Sequence, residues 1–259
     1  MNGILLAGFA LLVGLFFTVP MAVAVLMSFT PSKFLRLPTT EWSLRWYEEF
    51  FASLKWMEGL ANSLVVSALT IVISLVIGLL TALAFTRHRF RGSSALYTAC
   101  LTPVFTPAVI IAMAMLAVAY RTGLWGSHLI IAIGHSLWAL PIVVMVLRAS
   151  LEGLDRSLEE AARGLGASPW QVFYTVIAPL IAPSIFVGAL FAFIISINEF
   201  VMALFLCGVE TETLPRIIYP TLRYSLTPLV AAASGVLVLL TLAVLVLAAW
   251  VVNLRKLLA

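Results

Sequence analysis

Glu199 is the residue of this sequence whose type and position most directly suggest chemistry. It lies within a long apolar run, next to Asn198, and no other charged residue falls inside the runs of this kind. Ser196, Ala192 and Gly188 share a helical face with it, and such a stripe of small and polar residues is typical of contact with protein or a cavity. Glu199, Asn198 and Ser196 are therefore candidates to line a path for a cationic solute. The alternative is a carboxylate that is hydrogen-bonded to another helix or subunit and supports a gate.

The sequence shows no cluster of residues that would suit catalysis, metal binding or nucleotide binding. The three histidines are scattered, and Cys100 and Cys207 lie in separate apolar runs, so no metal-ligand spacing results. His135, inside an apolar run, is interpreted as a hydrogen-bonded packing residue. None of the lysines follows a glycine, so the phosphate-binding pattern G-x-x-x-x-G-K-[ST] is missing and any ATP chemistry has to come from another polypeptide. We therefore predict no catalytic residue, no metal and no cofactor for this chain.

The composition points to a protein that lies mostly within a membrane. Of 259 residues, 63% are hydrophobic and 10% are charged, whereas soluble domains have about 45–50% apolar and about 25% charged residues. Fifteen basic and 11 acidic side chains cannot cover such a chain in water, which excludes a soluble enzyme, a disordered chain and a disulfide scaffold. The net charge of +4 is too diffuse to indicate nucleic-acid binding. The prediction is an all-α, polytopic membrane protein with the lipid bilayer as its main surrounding.

Six apolar runs are each long enough to cross the hydrocarbon core as a helix, which needs about 20 residues. The first run lacks a basic n-region and is too long for a signal peptide, so we interpret it as a retained helix. Six spans place both termini on one side, and the dense basic segment 87–91 indicates that this side is the cytoplasm. The predicted spans of this single transmembrane domain, 1–259, are residues 3–27, 61–86, 95–120, 129–147, 183–207 and 229–252.

Several predicted spans contain prolines. Proline is tolerated in a membrane helix where neighbouring groups satisfy the carbonyl that it leaves free. We interpret these residues as packing kinks, and the alternative is a set of kinked helices that line a path of changing shape. The residues are Pro20, Pro103, Pro107 and Pro141.

The loop between the first two spans contains aromatic residues at helical spacing. Trp42, Trp46 and Phe50 recur every four residues, which predicts a short helix with one aromatic face. Such a face suits the lipid headgroup region, and binding of a partner is the alternative.

The polar segment, residues 148–180, connects the fourth and fifth spans. Its apolar residues follow a three-four spacing from Leu151 to Leu165, which predicts one amphipathic helix. Two i,i+4 pairs of opposite charge support this helix, because their acidic residues lie N-terminal to the basic ones. The pairs are Glu152 with Arg156 and Glu159 with Arg163.

The same segment continues with signals for a turn and a second helix. Gly164 and Gly166 predict the end of the first helix, because glycine readily adopts the left-handed conformation that follows a helix C-terminus. The sequence Ser168-Pro169-Trp170-Gln171 predicts a capping box and a second short helix. A helix, a glycine turn and a second helix fit either an amphipathic helix on the lipid surface or a projection that docks into another protein.

This segment resembles the EAA signature of binding-protein-dependent ABC importer permeases. The signature has Glu-Ala-Ala, a glycine four residues later, and Ile-x-Leu-Pro after nine more residues. Here Val176 and Ala178 replace the isoleucine and the leucine, and both replacements are apolar. The resemblance implies that Glu160 lies at the surface that contacts an ATPase and that Gly166 allows the sharp turn. The matching residues, which the resemblance assigns to coupling with the ATPase, are Glu160, Ala161, Ala162, Gly166 and Pro179.

Motifs elsewhere in the chain extend the resemblance to nearly its whole length. They look most like the spermidine/putrescine-type permease subfamily. They are Trp46-Tyr47-Glu48, Asn62-Ser63-Leu64, Asn198-Glu199, Thr213-Leu214-Pro215 with Tyr219, and Thr227-Pro228.

The resemblance implies a type I importer fold and a set of partners. A cytoplasmic ABC ATPase dimer, using ATP and Mg, would move the polar segment and switch the spans between inward-open and outward-open states. A second permease, related but different, would complete the path, and a periplasmic or surface solute-binding protein would deliver the solute. The location would be a bacterial inner membrane, and the chain itself would not be an enzyme.

Other functions are weighed against this one. A polyamine is the leading substrate, and iron, phosphonates, sugars and other organic ions stay open. A secondary transporter would need several buried ionisable residues or an inverted repeat, and the sequence has one buried carboxylate. A membrane enzyme would need a cluster of His, Asp or Glu at the membrane surface, and the acids of the polar segment have no histidine near them.

Overall fold

The computed structural model describes residues 3–37, 41–88, 90–225 and 227–258, with the side chains of 3, 4 and 251–258 left aside. Helices make up most of these residues, as predicted. The helices are α1 (Gly3–Met27), α2 (Arg45–Ala52), α3 (Leu54–Arg87), α4 (Ser93–Phe105), α5 (Ala108–Thr122), α6 (His128–Glu152), α7 (Arg156–Gly164), α8 (Pro169–Val172), α9 (Ala178–Asn198), α10 (Val201–Leu206), α11 (Leu214–Tyr224) and α12 (Pro228–Leu258). A π-helical turn, Phe173–Ile177, joins α8 to α9.

Five continuous stretches of helix in the described part of the chain are long and apolar enough to cross a membrane. Three of these stretches lie close to predicted spans: Leu5–Met27, His128–Glu152 and Pro228–Trp250. Each of the other two begins well before the predicted span that it overlaps. The stretch Leu54–Arg87 has 34 residues and Pro169–Asn198 has 30, which at 1.5 Å per residue exceeds the roughly 30 Å of hydrocarbon. The ends of these two helices therefore project beyond the hydrocarbon core.

The predicted span 95–120 is two helices rather than one. The axes of α4 and α5 meet at 102° across a break of two residues. Thr106 is extended, with φ −90° and ψ 133°, because the ring of Pro107 disfavours the helical conformation in the preceding residue. Pro103 and Pro141, in contrast, lie inside α4 and α6. Of these three prolines, Pro107 is the one that lies at a break between two helices.

The chain divides into two compact units, of which the first comprises residues 1–61 and 213–240. In this unit Trp46 and Phe50 of α2 are buried, while Trp42 precedes the helix and is exposed. The Trp46 indole N–H donates to the carbonyl of Thr30 at 2.8 Å. The predicted aromatic face toward the headgroups is therefore wrong: two of its three members pack inside the protein, because an amphipathic pattern does not tell lipid from protein.

The second unit comprises residues 62–212 and 241–259, and α6 is its most buried span. Two apolar clusters form its core. The first contains Val66, Ala112, Ala119, Ile130, Ile131, Ala132, Met202, Ala203, Leu206 and Cys207, and the second contains Ala82, Ala139, Val143, Leu147, Leu151, Val172, Ile177, Ile181 and Ala192. Along α3 and α6 the two clusters are separated by buried polar residues, among them Thr70 and His135.

Candidate functional site

The polar segment begins with a turn that the sequence analysis did not place. Helix α6 continues to Glu152, and α7 begins at Arg156, so the single predicted helix from Leu151 to Leu165 is two helices. The Asp155 carboxylate accepts the N–H of Ser157 at 2.9 Å and caps α7. This hydrogen bond, together with the one to the Ser157 side chain, lowers the pKa of Asp155. The predicted pair of Glu152 with Arg156 is replaced by a pair of Glu152 with Arg148 at 2.7 Å.

The glycine turn is confirmed at one of its two glycines. Gly166 has φ 89°, the left-handed conformation that side chains disfavour, while Gly164 still belongs to α7. The N–H of Gly166 donates to Arg163 O at 2.9 Å and that of Ala167 donates to Ala162 O at 3.1 Å. This pair of bonds is the Schellman motif, which satisfies the last carbonyls of a helix.

The second helix begins with the predicted capping box but does not end as a short helix. Ser168 accepts the N–H of Gln171 at 3.3 Å, and Gln171 accepts the N–H of Ser168 at 2.7 Å. The helix then passes through the π turn into α9, where Ala178 N–H donates to Phe173 O, five residues back. Pro179 follows directly and has no N–H for the carbonyl four residues back, which accounts for the locally widened ladder.

The five EAA-type residues fall into different environments. Glu160 and Ala161 lie on the exposed face of α7, and Ala162 packs against the second apolar cluster. Gly166 makes the turn and Pro179 lies exposed in α9. Between Leu158 and Tyr174, four large apolar side chains are also exposed. These are Leu158, Leu165, Trp170 and Tyr174, and Leu165 is 90% exposed.

An ion pair between buried side chains connects α7 to the end of α3. The sequence analysis did not predict this connection. Glu159 is 4% exposed and forms ion pairs with Arg87, in α3, and with Arg163 at 3.8 Å. Arg87 also donates to the carbonyl of Leu151, at the end of α6, at 3.2 Å. Arg156 donates to the carbonyl of Thr86. The partners lie some 70 residues apart in the chain, so no local pattern indicated them.

Glu199 lies at a break between α9 and α10 rather than inside one continuous span. Its carboxylate accepts the N–H groups of Val201 at 3.0 Å, Met202 at 2.8 Å and Ala203 at 3.3 Å. These are the first amides of α10, which have no acceptor within that helix. The carboxylate thus starts the short helix, and its side chain is 11% exposed.

A chain of buried hydrogen bonds leads from His135, which lies beside Glu199, toward α3. His135 Nε2 lies 3.4 Å from the carboxylate, and His135 Nδ1 lies 2.9 Å from the hydroxyl of Ser196. Ser196 donates to Thr70 at 3.2 Å, and Thr70 donates to the carbonyl of Val66 at 2.8 Å. Because the Ser196 hydrogen is used toward Thr70, Nδ1 is the protonated nitrogen of a neutral His135. Nε2 is then an acceptor that faces the carboxylate.

The three residues predicted for the path are therefore not equivalent. Ser196 is buried in the hydrogen-bond chain, Glu199 caps α10, and Asn198 is exposed, with its amide donating to Ile194 O at 2.9 Å. The prediction that this face of α9 contacts protein holds, since Ser196 is buried together with Ala192 and Gly188. His135 belongs to the same site. Its helix position alone did not reveal Glu199 as a partner, because the two residues are 64 positions apart.

Comparison with known proteins identifies the class to which this membrane fold and its projecting segment belong. The chain is a member of the family described as binding-protein-dependent transport system inner membrane component, whose model matches residues 74–257. Those residues contain both α7 and Glu199. The predicted family is thus confirmed, and the chain is a multi-pass permease of an importer of this kind.

Individual relatives cover most of the chain. The putrescine transport system permease protein PotI of Escherichia coli (strain K12) is 33% identical over 239 residues, which are 89% of this chain and 83% of that protein. The spermidine/putrescine transport system permease protein PotC of Haemophilus influenzae is 29% identical over 229 residues, 88% of this chain and 89% of that protein. The molybdenum transport system permease protein ModB of Escherichia coli (strain K12) is 32% identical over 177 residues, 62% of this chain and 77% of that protein.

Solved structures share the fold at lower sequence identity. A bacterial ABC transporter involved in the import of the acidic polysaccharide alginate matches with a TM-score of 0.71 at 20% identity, over 97% of this chain and 95% of that one. The alginate transporter in complex with an alginate pentasaccharide-bound periplasmic protein matches with a TM-score of 0.75 at 18% identity, over 94% and 92%. These matches confirm the predicted type I importer permease fold.

Proposed function

We propose that this permease carries a polyamine across the inner membrane and is driven by a separate ATPase. The names of two relatives that cover most of the chain, a putrescine permease and a spermidine/putrescine permease, support the substrate class. The chain is the membrane subunit and hydrolyses nothing itself. ATP and Mg are used by the partner ATPase dimer, and in the described residues no group of three or more His, Cys, Asp or Glu could hold a metal ion.

The polar segment is the element that the ATPase moves. The observation that carries this proposal is its combination of rigidity and exposure: α7 is capped at both ends, while Leu158, Leu165 and Trp170 are exposed beside Glu160. Leu158 and Leu165 lie outside the helices that are apolar enough to cross a membrane, so lipid does not account for their exposure and a partner protein would cover them. Closure of the ATPase dimer on ATP draws the polar segments of two permeases together and turns the spans outward. This assignment places the polar segment and both termini in the cytoplasm.

The solute path is shared between two permease chains, of which the second is related but different. A solute-binding protein on the opposite face delivers the polyamine and supplies most of the selectivity. In this proposal Glu199 acts mainly on the shape of the path, since both of its oxygens accept amides of α10. Asn198, which is exposed on the same stretch, is the better candidate for direct contact with the solute.

Uptake by the reconstituted transporter tests the proposal. The chain is co-purified with its ATPase, second permease and binding protein, and placed in proteoliposomes containing ATP. Spermidine, putrescine and molybdate are offered separately, with a non-hydrolysable ATP analogue as the control. ATP-dependent accumulation of a polyamine supports the proposal. Accumulation of molybdate alone would overturn the substrate class, and uptake without any ATPase would overturn the mechanism.

A further inference from the structure

The ion pair of Arg87 with Glu159 is more deeply buried than an ion pair at the protein surface. The side chains are 14% and 6% exposed, whereas those of the neighbouring pair Arg148 and Glu152 are 29% and 52% exposed. A buried charge that loses its partner is costly, because it has already lost its water. Loss of one partner should therefore cost more at the buried pair, which joins two helices, than at the exposed pair, which lies within α6.

This pair joins elements that the chain connects only through α4, α5 and α6. Arg87 ends α3, and Glu159 is in the middle of α7. Two further bonds reinforce the junction: Arg87 donates to Leu151 O, and Arg156 donates to Thr86 O. Arg87 thus contacts α7 and the end of α6 at once. A force applied to α7 reaches α3 directly, without first passing through the turn at Gly166 and along α9.

We propose that Glu159 and Arg87 form a latch that transmits the movement of α7 to α3, and that Glu159 is a positioning residue for coupled transport. The inference rests on the proposed coupling of the polar segment to an ATPase. It separates two adjacent acids: Glu160, on the exposed face, meets the partner, and Glu159, on the buried face, passes the movement inward. Helix α3 also carries Thr70, so the helix that the latch moves takes part in the hydrogen-bond chain that ends at His135, beside Glu199.

The test compares uptake with ATP hydrolysis in the complete transporter. Glu159→Gln and Arg87→Gln each remove one charge of the latch, and Arg87→Glu with Glu159→Arg reverses both. Glu152→Gln is the matched control, because it breaks the exposed pair with Arg148 in the same region. Solute transported per ATP hydrolysed should fall by about fivefold or more in the two single variants, the lower end of typical coupling energies. The control should match the wild type, and the double reversal should recover at least part of the loss.

A covalent latch decides the matter if the single variants fail to assemble. Arg87→Cys and Glu159→Cys are combined in a Cys100→Ser and Cys207→Ser background, and the two new thiols are joined by a short thiol-specific cross-linker. Transport per ATP should be restored when the link is closed and lost when the thiols are free. Equal coupling with the link open and closed, or single variants that couple as the wild type does, would overturn the latch. A wild type that shows no ATP-dependent uptake would instead overturn the proposed function on which the latch rests.

Discussion

Glu199 Oε2 lies 3.4 Å from His135 Nε2, at the point where the fifth span breaks into two helices. The other nitrogen of His135 is the donor toward Ser196, so a neutral histidine offers Nε2 as an acceptor to an oxygen that is also an acceptor. A favourable contact between His135 Nε2 and Glu199 Oε2 therefore needs one hydrogen that lies between these two atoms. The remaining lone pairs of the carboxylate are used by the amides of α10.

Replacement of Glu199 separates its capping role from its charge. Glu199→Gln keeps one acceptor oxygen, but the carboxylate uses Oε1 for the Val201 amide and Oε2, the atom that faces His135, for the amides of Met202 and Ala203, so the new NH2 group displaces at least one of these hydrogen bonds. We therefore expect a loss of unfolding stability that is smaller than in Glu199→Ala. Glu199→Ala leaves buried amides without an acceptor and should lose about 1–3 kcal/mol. Thermal unfolding of the purified complex measures both. The KM for the polyamine should change by less than about twofold in the Gln variant; a large rise in KM would show that the charge itself attracts the solute.

The exposed apolar surface of the polar segment should be needed for the ATPase and not for folding. Leu165 is 90% exposed, so Leu165→Asp should leave the stability of the permease nearly unchanged. If the side chain fills a pocket of the ATPase, the loss is expected to be about 2 kcal/mol or more, as at other interface hot spots. Co-purification of the ATPase with the tagged permease measures this.

Val209 offers the matched control for that experiment. It is 91% exposed and follows α10, at the opposite end of α9 from the polar segment. Val209→Asp adds the same charge to the surface and should retain the ATPase. Equal retention by both variants would remove Leu165 from the docking surface.

Local patterns predicted two features of the polar segment correctly, the capping box and the turn at Gly166. The capping box of Ser168 and Gln171 was evident because its two partners are three residues apart and their types are specific to it. The left-handed turn at Gly166 was predictable for the same reason. The apolar runs indicated the long helices, because a charge inside the hydrocarbon costs several kcal/mol and is excluded, but they did not indicate the helix break at Pro107.

The rest of the site depends on contacts between residues that are far apart in the chain, and such contacts produce no local sequence pattern. Glu159 and Glu160 are adjacent and chemically identical, and nothing in the sequence tells which one faces Arg87. Glu199 lies in a break with no glycine or proline, so the run read as one continuous span. Trp46 and Phe50 show that one amphipathic pattern fits both a lipid-facing and a protein-facing helix.

The cap of α7 gives the polar segment a pH dependence that can be measured at one amide. Hydrogen bonds to Ser157 lower the pKa of Asp155 below 3.8, so the charged carboxylate favours the capped state. The charged Asp155 carboxylate stabilises the capped helix fully above the pKa that it has in the unfolded chain. This stabilisation is lost as the pH falls through the lower pKa of the folded state. Protection of the Ser157 amide against hydrogen exchange, corrected for intrinsic rates, should drop in that range. Asp155→Asn keeps an acceptor oxygen and should remove the pH dependence; an unchanged profile would assign the effect to other groups.

Gly166 and Gly164 allow the cost of backbone conformation to be measured apart from crowding. A side-chain carbon at either position would meet nothing within 4 Å, but Gly166 has φ 89° and Gly164 is helical. Gly166→Ala should therefore cost about 1–2 kcal/mol through the left-handed conformation alone, whereas Gly164→Ala should gain up to about 1 kcal/mol in helix propensity. Amide exchange in α7 and transport per ATP are the two measurements. Membrane insertion should survive in both variants, and coupling should fall only in Gly166→Ala, because relief of the strain would displace Leu165 and Trp170 from their positions on either side of the turn. If coupling falls equally in both, flexibility rather than the left-handed turn is what the glycines supply.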